Sequence, residues 1–421
     1  MSFWTVYQWH TVRVILVGCC LSVSAMEAGA VVKQVTATFN PDPGNPLKNE
    51  FKNTTPNEGF CARNPNICKA HNISSLRSNV GGTALNGPIE PNHAEVRKGA
   101  MIKTPAAWRT LTVKERNSGE EATVEVRISG MGGVYELSHD ARTLTGITNT
   151  GAAHQALWGT DWRYAPSPCM AIGSNSYYGF TGFEFFWLTP EEAVCNKQAR
   201  FLIPGFGYRY LDFAYELRTP DPLKMSTGIY DGTQIYSVGP NGDFDLGDIV
   251  APSDAVIQLD FTLTVEHTLK VEIPPGGNHI ELVPQGGWQA WLNQGRRPTR
   301  LFRDQTFNIS SSSRFKMQLE CQYSDSNTCA VHDPESNHLV PLNISVSLPN
   351  GLTDVGGQPV KLRPLRLDGS GTELFQPGFY IDRKPGTLHF EIARDQVEQM
   401  LSDGAAKQYS GNVTVIWDSE V

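Results

Sequence analysis

The chain has 421 residues, with 35 basic and 43 acidic side chains and a formal net charge of −8. That balance excludes a nucleic-acid binder, which needs a basic surface to displace counterions from phosphates. With 40% hydrophobic and 19% charged residues, 39 Gly and 27 Pro, the composition also excludes disorder and coiled coil, and the length suits two or three domains.

At the start of the chain, Arg13 precedes an apolar run from Val14 to Val23 that is too short to span a bilayer, then small residues including Ala28-Gly29-Ala30. This pattern predicts a secretory signal peptide over 1–30, cleaved after Ala30 or after Ala25. No later stretch is long and apolar enough for a membrane span, so the mature chain is expected to be exported without membrane insertion. Cys19 and Cys20 leave with the signal, and six cysteines remain. Near-neighbour spacing favours three local disulfides, Cys61 with Cys68, Cys169 with Cys195 and Cys321 with Cys329. A zinc site is the rival reading, weakened because no pair has the short gap and matching histidines of a zinc knuckle.

Taken in order, the predicted elements are nearly all strands. Val31 to Phe39 alternates, as do Thr123 to Ile128, then Ile257, Leu259, Phe261, Leu263 and Val265 on one face of a longer strand. Leu342, Ile344, Val346 and Leu348 repeat the pattern, followed by Leu388, Phe390 and Ile392. Two helical signals interrupt it. Thr189-Pro190-Glu191-Glu192 reads as an N-cap, a first-turn proline and two acids, and Asp395 to Ser402 reads as an amphipathic turn stopped at Gly404. The fold class is therefore all-β, with two tandem immunoglobulin-like β-sandwiches. Pro274-Pro275-Gly276-Gly277 is the predicted hinge, dividing 31–273 from 278–421.

The last predicted strand, after Gly411, alternates Val413, Val415 and Trp417 inward, and the chain stops four residues later. One reading is an ordinary last strand. The other is a sandwich without its closing strand, whose apolar groove and open edge take a strand from another polypeptide.

Motifs for catalysis are missing. There is no Gly-x-Ser-x-Gly elbow, no His-Glu-x-x-His, no P-loop and no dinucleotide fingerprint after a strand, and Gly130-Met131-Gly132-Gly133 lacks the helix a phosphate cradle needs. No enzyme, cofactor or metal is expected. Asn241 to Asp248 carries oxygen donors without EF-hand spacing and reads as an acidic turn. Trp158 and Trp162, in a stretch with glycine and polar neighbours, are candidates for an exposed carbohydrate platform together with the Tyr177 to Phe180 run. Phe183, Phe185, Phe186 and Trp187 read as core.

The ending Gly411-Asn412-Val413-Thr414-Val415-Ile416-Trp417 and the two-sandwich layout resemble the tip adhesins of chaperone–usher fimbriae, in particular the CblD-like initiators of the colonisation-factor (class 5) type. The likeness extends to Cys169…Cys195, the run Asn196 to Pro204, the strand from Tyr208 to Arg218, and Gly277-Asn278; it does not cover Phe51 to Thr150. The resemblance implies that 31–273 is a receptor-binding adhesin domain and 278–421 an incomplete pilin domain lacking its last strand. It also implies the partners: a periplasmic chaperone, an outer-membrane usher, a major pilin subunit donating its N-terminal strand, and a host cell-surface receptor, a glycan or glycoprotein. The location implied is the fimbrium tip. Receptor-binding arginines of that family correspond best to Arg63 and Arg218, although Thr219-Pro220 stands where a second arginine is expected, and Arg209 is the substitute. Guanidinium forks suit carboxylated sugars. Two alternatives stand beside this. A non-adhesive structural or initiator pilin is supported by Val31 to Phe39, which resembles a class 5 donor strand unless it is the first strand of the adhesin sandwich. A secreted lectin-like protein would suit the sequons at Asn53, Asn72, Asn308, Asn343 and Asn412.

Overall fold

The computed structural model describes residues 30–78, 80, 85–172, 178–402 and 408–419. The expected signal peptide before Ala30, Tyr177 and the helix stop at Gly404 lie outside the described residues.

The first block consists of β1 (Ala30–Phe39), α1 (Phe60–Arg63), α2 (Pro65–His71), β2 (Ser74–Ser78), β3 (Arg109–Glu115), β4 (Glu121–Leu137), α3 (Ala141–Thr145), α4 (Thr150–Trp158), β5 (Gly182–Leu188), β6 (Phe206–Arg218), β7 (Gly228–Ser237) and β8 (Val256–Val265), with shorter elements between them. Among the described residues ten strands make one sheet whose main order is Lys52–Asn53, β1, β8, β7, β3, β4, β6, β2, with β5 alongside the C-terminal half of β4. Between β7 and β3 only Tyr230 with Glu115 and Asp231 with Lys114 are paired, so the sheet folds over at that seam. Its two halves then face each other. Val35, Phe39, Leu259 and Phe261 come from one half and Val124, Val126, Ile128, Leu211 and Phe213 from the other, all buried in one core. Burying each such side chain contributes about 1.5–3 kcal/mol, which is what the two-residue alternation achieves. β1 pairs in parallel with β8 along its full length, Ala30 opposite Val256 and Phe39 opposite Val265. The donor-like stretch is thus a wall of its own chain's sandwich.

The second block comprises β9 (Leu269–Glu272), α5 (Gln289–Gln294), β10 (Leu301–Ser311), β11 (Phe315–Cys321), β12 (Thr328–Asp333), β13 (His338–Ser347), β14 (Leu352–Asp354), β15 (Phe375–Pro377), β16 (Ile381–Ile392), α6 (Arg394–Met400) and β17 (Val413–Ser419). One sheet runs β9, β10, β16, β13, β12, and the other β14, β15, β11, β17. Phe307, Ile309, Met317, Val340, Ile344, Phe375 and Phe390 fill the space between.

Three expectations change. The crossover between blocks lies upstream of 274–277. β9 already pairs with β10, Leu269 opposite Ser311, so the chain changes sheets at 266–268, and Pro274 to Gly277 is a turn within the second block, Gly277 N–H donating to Pro274 O at 2.9 Å. The helix expected at Thr189 does not form. Thr189 N–H donates to Ser129 O at 2.9 Å, prolonging the β5 pairing, and Cys195 follows too soon, held in a short strand and bonded to Cys169. Conversely, α3 and α4 occupy a stretch rich in Gly, Thr and Asn, started by the side chains of Asp140 and Asn149, which accept from the Arg142 and Ala152 amides. The disulfides are Cys61–Cys68, Cys169–Cys195 and Cys321–Cys329. Among the described residues no helix is long and apolar enough to cross a membrane.

Candidate functional site

The outer face of β4, β5 and β6 is the surface on which Arg63 and Arg209 come together. Gly132 on β4 makes room for it, since a Cβ there would sit 2.3 Å from Phe185 O. Against this face lies the α1–α2 knuckle, closed by Cys61–Cys68, with the Phe60 ring stacked on Phe186 at 4.1 Å. Gly59 turns the chain into α1 at φ +61, and any side chain there would collide with the Asp212 carboxylate.

That knuckle sets Arg63 over the sheet. Its guanidinium is paired with Glu184, donates to Tyr210 Oη at 3.1 Å and lies 3.6 Å from Asp212, with its side chain 44% exposed. Beneath it Arg77 grips Asp212 with Nε at 2.8 Å and Nη2 at 3.2 Å, its guanidinium 3.8 Å over the Tyr210 ring. Arg209 is the extra residue of a bulge between Tyr208 and Tyr210, which swings it outward. There it forms a two-point pair with Glu136, at 3.0 and 2.9 Å, and the guanidinium holds the Glu136 carboxyl below its ordinary range. Three cations therefore meet three anions, Arg63, Arg77 and Arg209 against Glu136, Glu184 and Asp212. The patch is charge-balanced, with donors fixed in direction. Such a surface suits directional hydrogen bonding to a sugar better than long-range capture of a polyanion.

Arg218 is not part of it. It ends β6 nine residues after Arg209, about 30 Å along an extended strand, on the side facing the second block. Just beyond, Ser226 accepts from Arg314 at 3.2 Å and Met225 O accepts from His267 at 2.9 Å. Arg218 lies 4.0 Å above the Trp108 ring, which Arg127 also shares at 5.0 Å, and faces Glu125 at 3.5 Å. The strand's direction separates it from the other two arginines.

Trp158 and Trp162 are core residues rather than an exposed platform, Trp158 at the end of α4 and Trp162 in the turn that follows. α4 rotates Trp158 inward, where its Nε1–H donates to Tyr135 Oη at 3.2 Å. Trp162 stacks on Trp187 at 5.0 Å and meets Tyr135 and Phe185 at 4.7 and 4.6 Å, so neither ring can form a surface platform. The exposed aromatics of that end are Tyr164 at 62% and Phe180 at 58%, the latter with the Arg142 guanidinium 4.2 Å above it, and Tyr178 is also exposed. Sequence reasoning missed Arg77, Glu184, Tyr210 and Asp212. Their signal was polar residues alternating with Phe and Leu on strands dominated by apolar groups. The acidic turn at 241–248 spends its carboxylates on arginines, Asp243 on Arg109 and Asp245 on Arg97 at 2.7 Å.

In the second block β17 is an end strand, paired with β11 alone among the described residues, Trp417 opposite Met317 and Val413 opposite Cys321. Gly411 leads into it beside β12, where Ser410 bridges His332. Val413, Val415 and Trp417 point inward yet are only half-buried. Trp417 meets Phe307 of β10 at 5.4 Å, and β10 adjoins β9, the end strand of the opposite sheet, whose Leu269 and Val271 are also half-buried. Both sheets thus end on one side of the sandwich with core-facing side chains incompletely covered. Among the described residues the buried Trp417 Nε1–H has no hydrogen-bond partner.

No protein-family model and no curated protein matches the chain. Among solved structures it is similar to CfaE, the adhesive subunit of the CFA/I fimbria of enterotoxigenic Escherichia coli, at 12% identity over 93% of this chain and 95% of that one, with a TM-score of 0.24. A chaperone–tip adhesin complex of CFA/I fimbriae biogenesis matches at 11% identity, covering 93% and 97%, with a TM-score of 0.23. The CsuC-CsuE chaperone–tip adhesion subunit pre-assembly complex from archaic Csu pili of Acinetobacter baumannii matches at 10% identity, covering 93% and 98%, with a TM-score of 0.21. Likenesses this slight carry no weight in the functional reading, which rests on the chain's own residues.

Proposed function

We propose that this chain is a fimbrial tip adhesin, exported through the periplasm and displayed at the end of a fibre. The first block, through β8, is the receptor-binding domain, and the second, from β9 onward, is the pilin domain that joins it to the fibre. The observation that carries this reading is the uncovered side of the second sandwich. Among the described residues β17 presents an unpaired edge and half-buried Val413, Val415 and Trp417, the kind of surface a donated strand completes. A periplasmic chaperone and an outer-membrane usher would handle that edge before a major pilin subunit fills it. The receptor face is the Arg63 and Arg209 patch, and its ligand class is a host glycoconjugate held by directional hydrogen bonds. Binding of the full chain to host cells, compared with Arg63→Ala and Arg209→Ala, tests the adhesive half. Loss in both variants with unchanged melting temperature is expected. Undiminished binding would shift the function to a non-adhesive initiator subunit.

A further inference from the structure

The second block carries, on the outer face of its larger sheet, a cleft of about 780 Å³ that none of the features above uses. Strand register lays its floor. Phe302 of β10 is opposite Glu391 of β16, which is opposite Asn343 of β13; two residues along, Asp304, His389 and Ser345 form a second row. Leu301, Phe390, Ile392 and Ile344 face the core, so the side-chain alternation turns these six outward. Neighbours within a row stand about 4.5–5.5 Å apart, close enough for one small ring to touch several at once.

The floor is held in place. His389 receives fixed partners at both nitrogens, Asp304 at 2.7 Å from Nδ1 and Ser347 Oγ at 2.9 Å from Nε2. At one end Arg300 lies 4.4 Å over the Phe302 ring, with Nη1 3.5 Å from Glu391. Along the β13 side rises a wall, because Arg363 and Pro364 pair with Val346 and Ser345 and bring Arg366 to the rim. Asn343 makes no side-chain hydrogen bond among the described residues, and its amide faces the cleft.

We propose that this cleft is a second, saccharide-binding site that takes a single pyranose unit. The chemistry is that of a polyol: amide, carboxylate, hydroxyl and guanidinium groups along the floor to exchange hydrogen bonds with adjacent hydroxyls, and exposed Leu362 and Pro364 on the wall for apolar contact with the C–H face of the ring. Two arginines balance Asp304 and Glu391, so the site discriminates against highly charged ligands. Its volume falls within the roughly 300–1,000 Å³ of small-molecule sites. The inference is independent of the receptor face, which lies on the other block.

The test is saturation-transfer NMR on the full chain with millimolar galactose, N-acetylglucosamine, glucuronic acid and N-acetylneuraminic acid. At least one sugar is expected to show transfer. Arg300→Ala, at an exposed side chain, and Ser345→Trp, which fills the floor, should each weaken it by about tenfold or more, while Arg63→Ala leaves it unchanged. Absence of transfer from all four sugars overturns the proposal. So does transfer that persists in Arg300→Ala, or that disappears in Arg63→Ala. Should Ser345→Trp fail to fold, Arg300→Ala alone decides.

Discussion

Arg77 and Asp212 form a two-point ion pair beneath Arg63, with Asp212 only 1% exposed. The carboxylate is therefore anchor rather than ligand: it has no access to solvent, and it is what keeps two guanidiniums of like charge side by side. Asp212→Asn should destabilise the chain by about 2–3 kcal/mol, because two arginines lose their counter-charge in a half-buried setting. Arg63→Ala, at a half-exposed position, should cost under about 1 kcal/mol. Urea unfolding of the two variants separates structural anchor from surface group. Equal losses would mean that Arg63 is itself structural.

A second pair of variants distinguishes buried from displayed aromatics in the same segment. Trp162→Ala removes a ring in contact with Tyr135, Phe185 and Trp187, and a loss of about 3–5 kcal/mol is expected. Tyr164→Ala, two residues on and mostly exposed, should stay within about 0.5 kcal/mol. Thermal unfolding reads both, and a stability loss in Tyr164→Ala comparable to that of Trp162→Ala would contradict the orientation of the segment.

Those tryptophans also mark the limit of what sequence discloses. Strands with strict alternation, such as Ile257 to Val265, were legible because one face is buried along their whole length. Local cysteine spacing was legible for a similar reason, since a short loop leaves few partners in reach. Trp158 was not, because its helix begins at an Asn cap and runs through Thr and Gly, a composition that local propensity assigns to a loop until tertiary packing on Tyr135 decides. The Thr189 helix signal failed in the opposite direction: cap, proline and acids were all present, yet sheet pairing to Ser129 and the nearby disulfide prevailed. The crossover at 266–268 lacks Gly or Pro altogether, whereas the conspicuous Pro-Pro-Gly-Gly only turns the chain inside one block. The arginine patch was half visible. Arg63 and Arg209 were named from resemblance, but Arg77 and Asp212 become partners only through β2 pairing with β6.

Acid should weaken the first block before its carboxylates titrate. His154 is buried, its Nε2–H donating to Gly179 O at 2.8 Å and its Nδ1 accepting from Tyr135 Oη at 2.6 Å. Burial pushes its pKa below the ordinary 6.5, and burial does the same to His267 at the junction of the blocks. Below pH 6.5 the unfolded chain therefore binds protons that the folded chain refuses, so stability falls as pH falls through this range. Urea midpoints at about pH 7 and pH 5 should show the drop, and His154→Gln should reduce its steepness. Lys197 acts in another window. Burial lowers its pKa from 10.5 to about 8, so its unfavourable charge is relieved, and stability rises, as pH climbs between those values. A flat profile from pH 7 to 5 would mean that water reaches His154.

The uncovered side of the second sandwich makes the strongest prediction about assembly. Among the described residues β17 has one neighbouring strand, its inward Val413, Val415 and Trp417 are half-buried, and Leu269 and Val271 on β9, the end strand of the opposite sheet, are half-buried as well. A strand laid along the free edge would satisfy β17 backbone groups and cover these side chains from one side. Each apolar residue it buries contributes about 1.5–3 kcal/mol, and for a domain of this size each kcal/mol raises the melting temperature by roughly 2–8 °C. Fusing the N-terminal strand of a major pilin through a flexible linker after Val421 of the full chain should therefore raise the transition of the second block by about 10 °C or more. Val415→Asp, which puts a charge in the path of the incoming strand, should remove most of that gain while changing the unfused chain far less. The contrast between fused and unfused backgrounds is the diagnostic, since a simple packing defect would lower both equally. If the fused strand adds nothing, the sandwich is already closed, the assembly reading falls, and the sugar-binding surfaces would have to be explained by a secreted lectin-like protein.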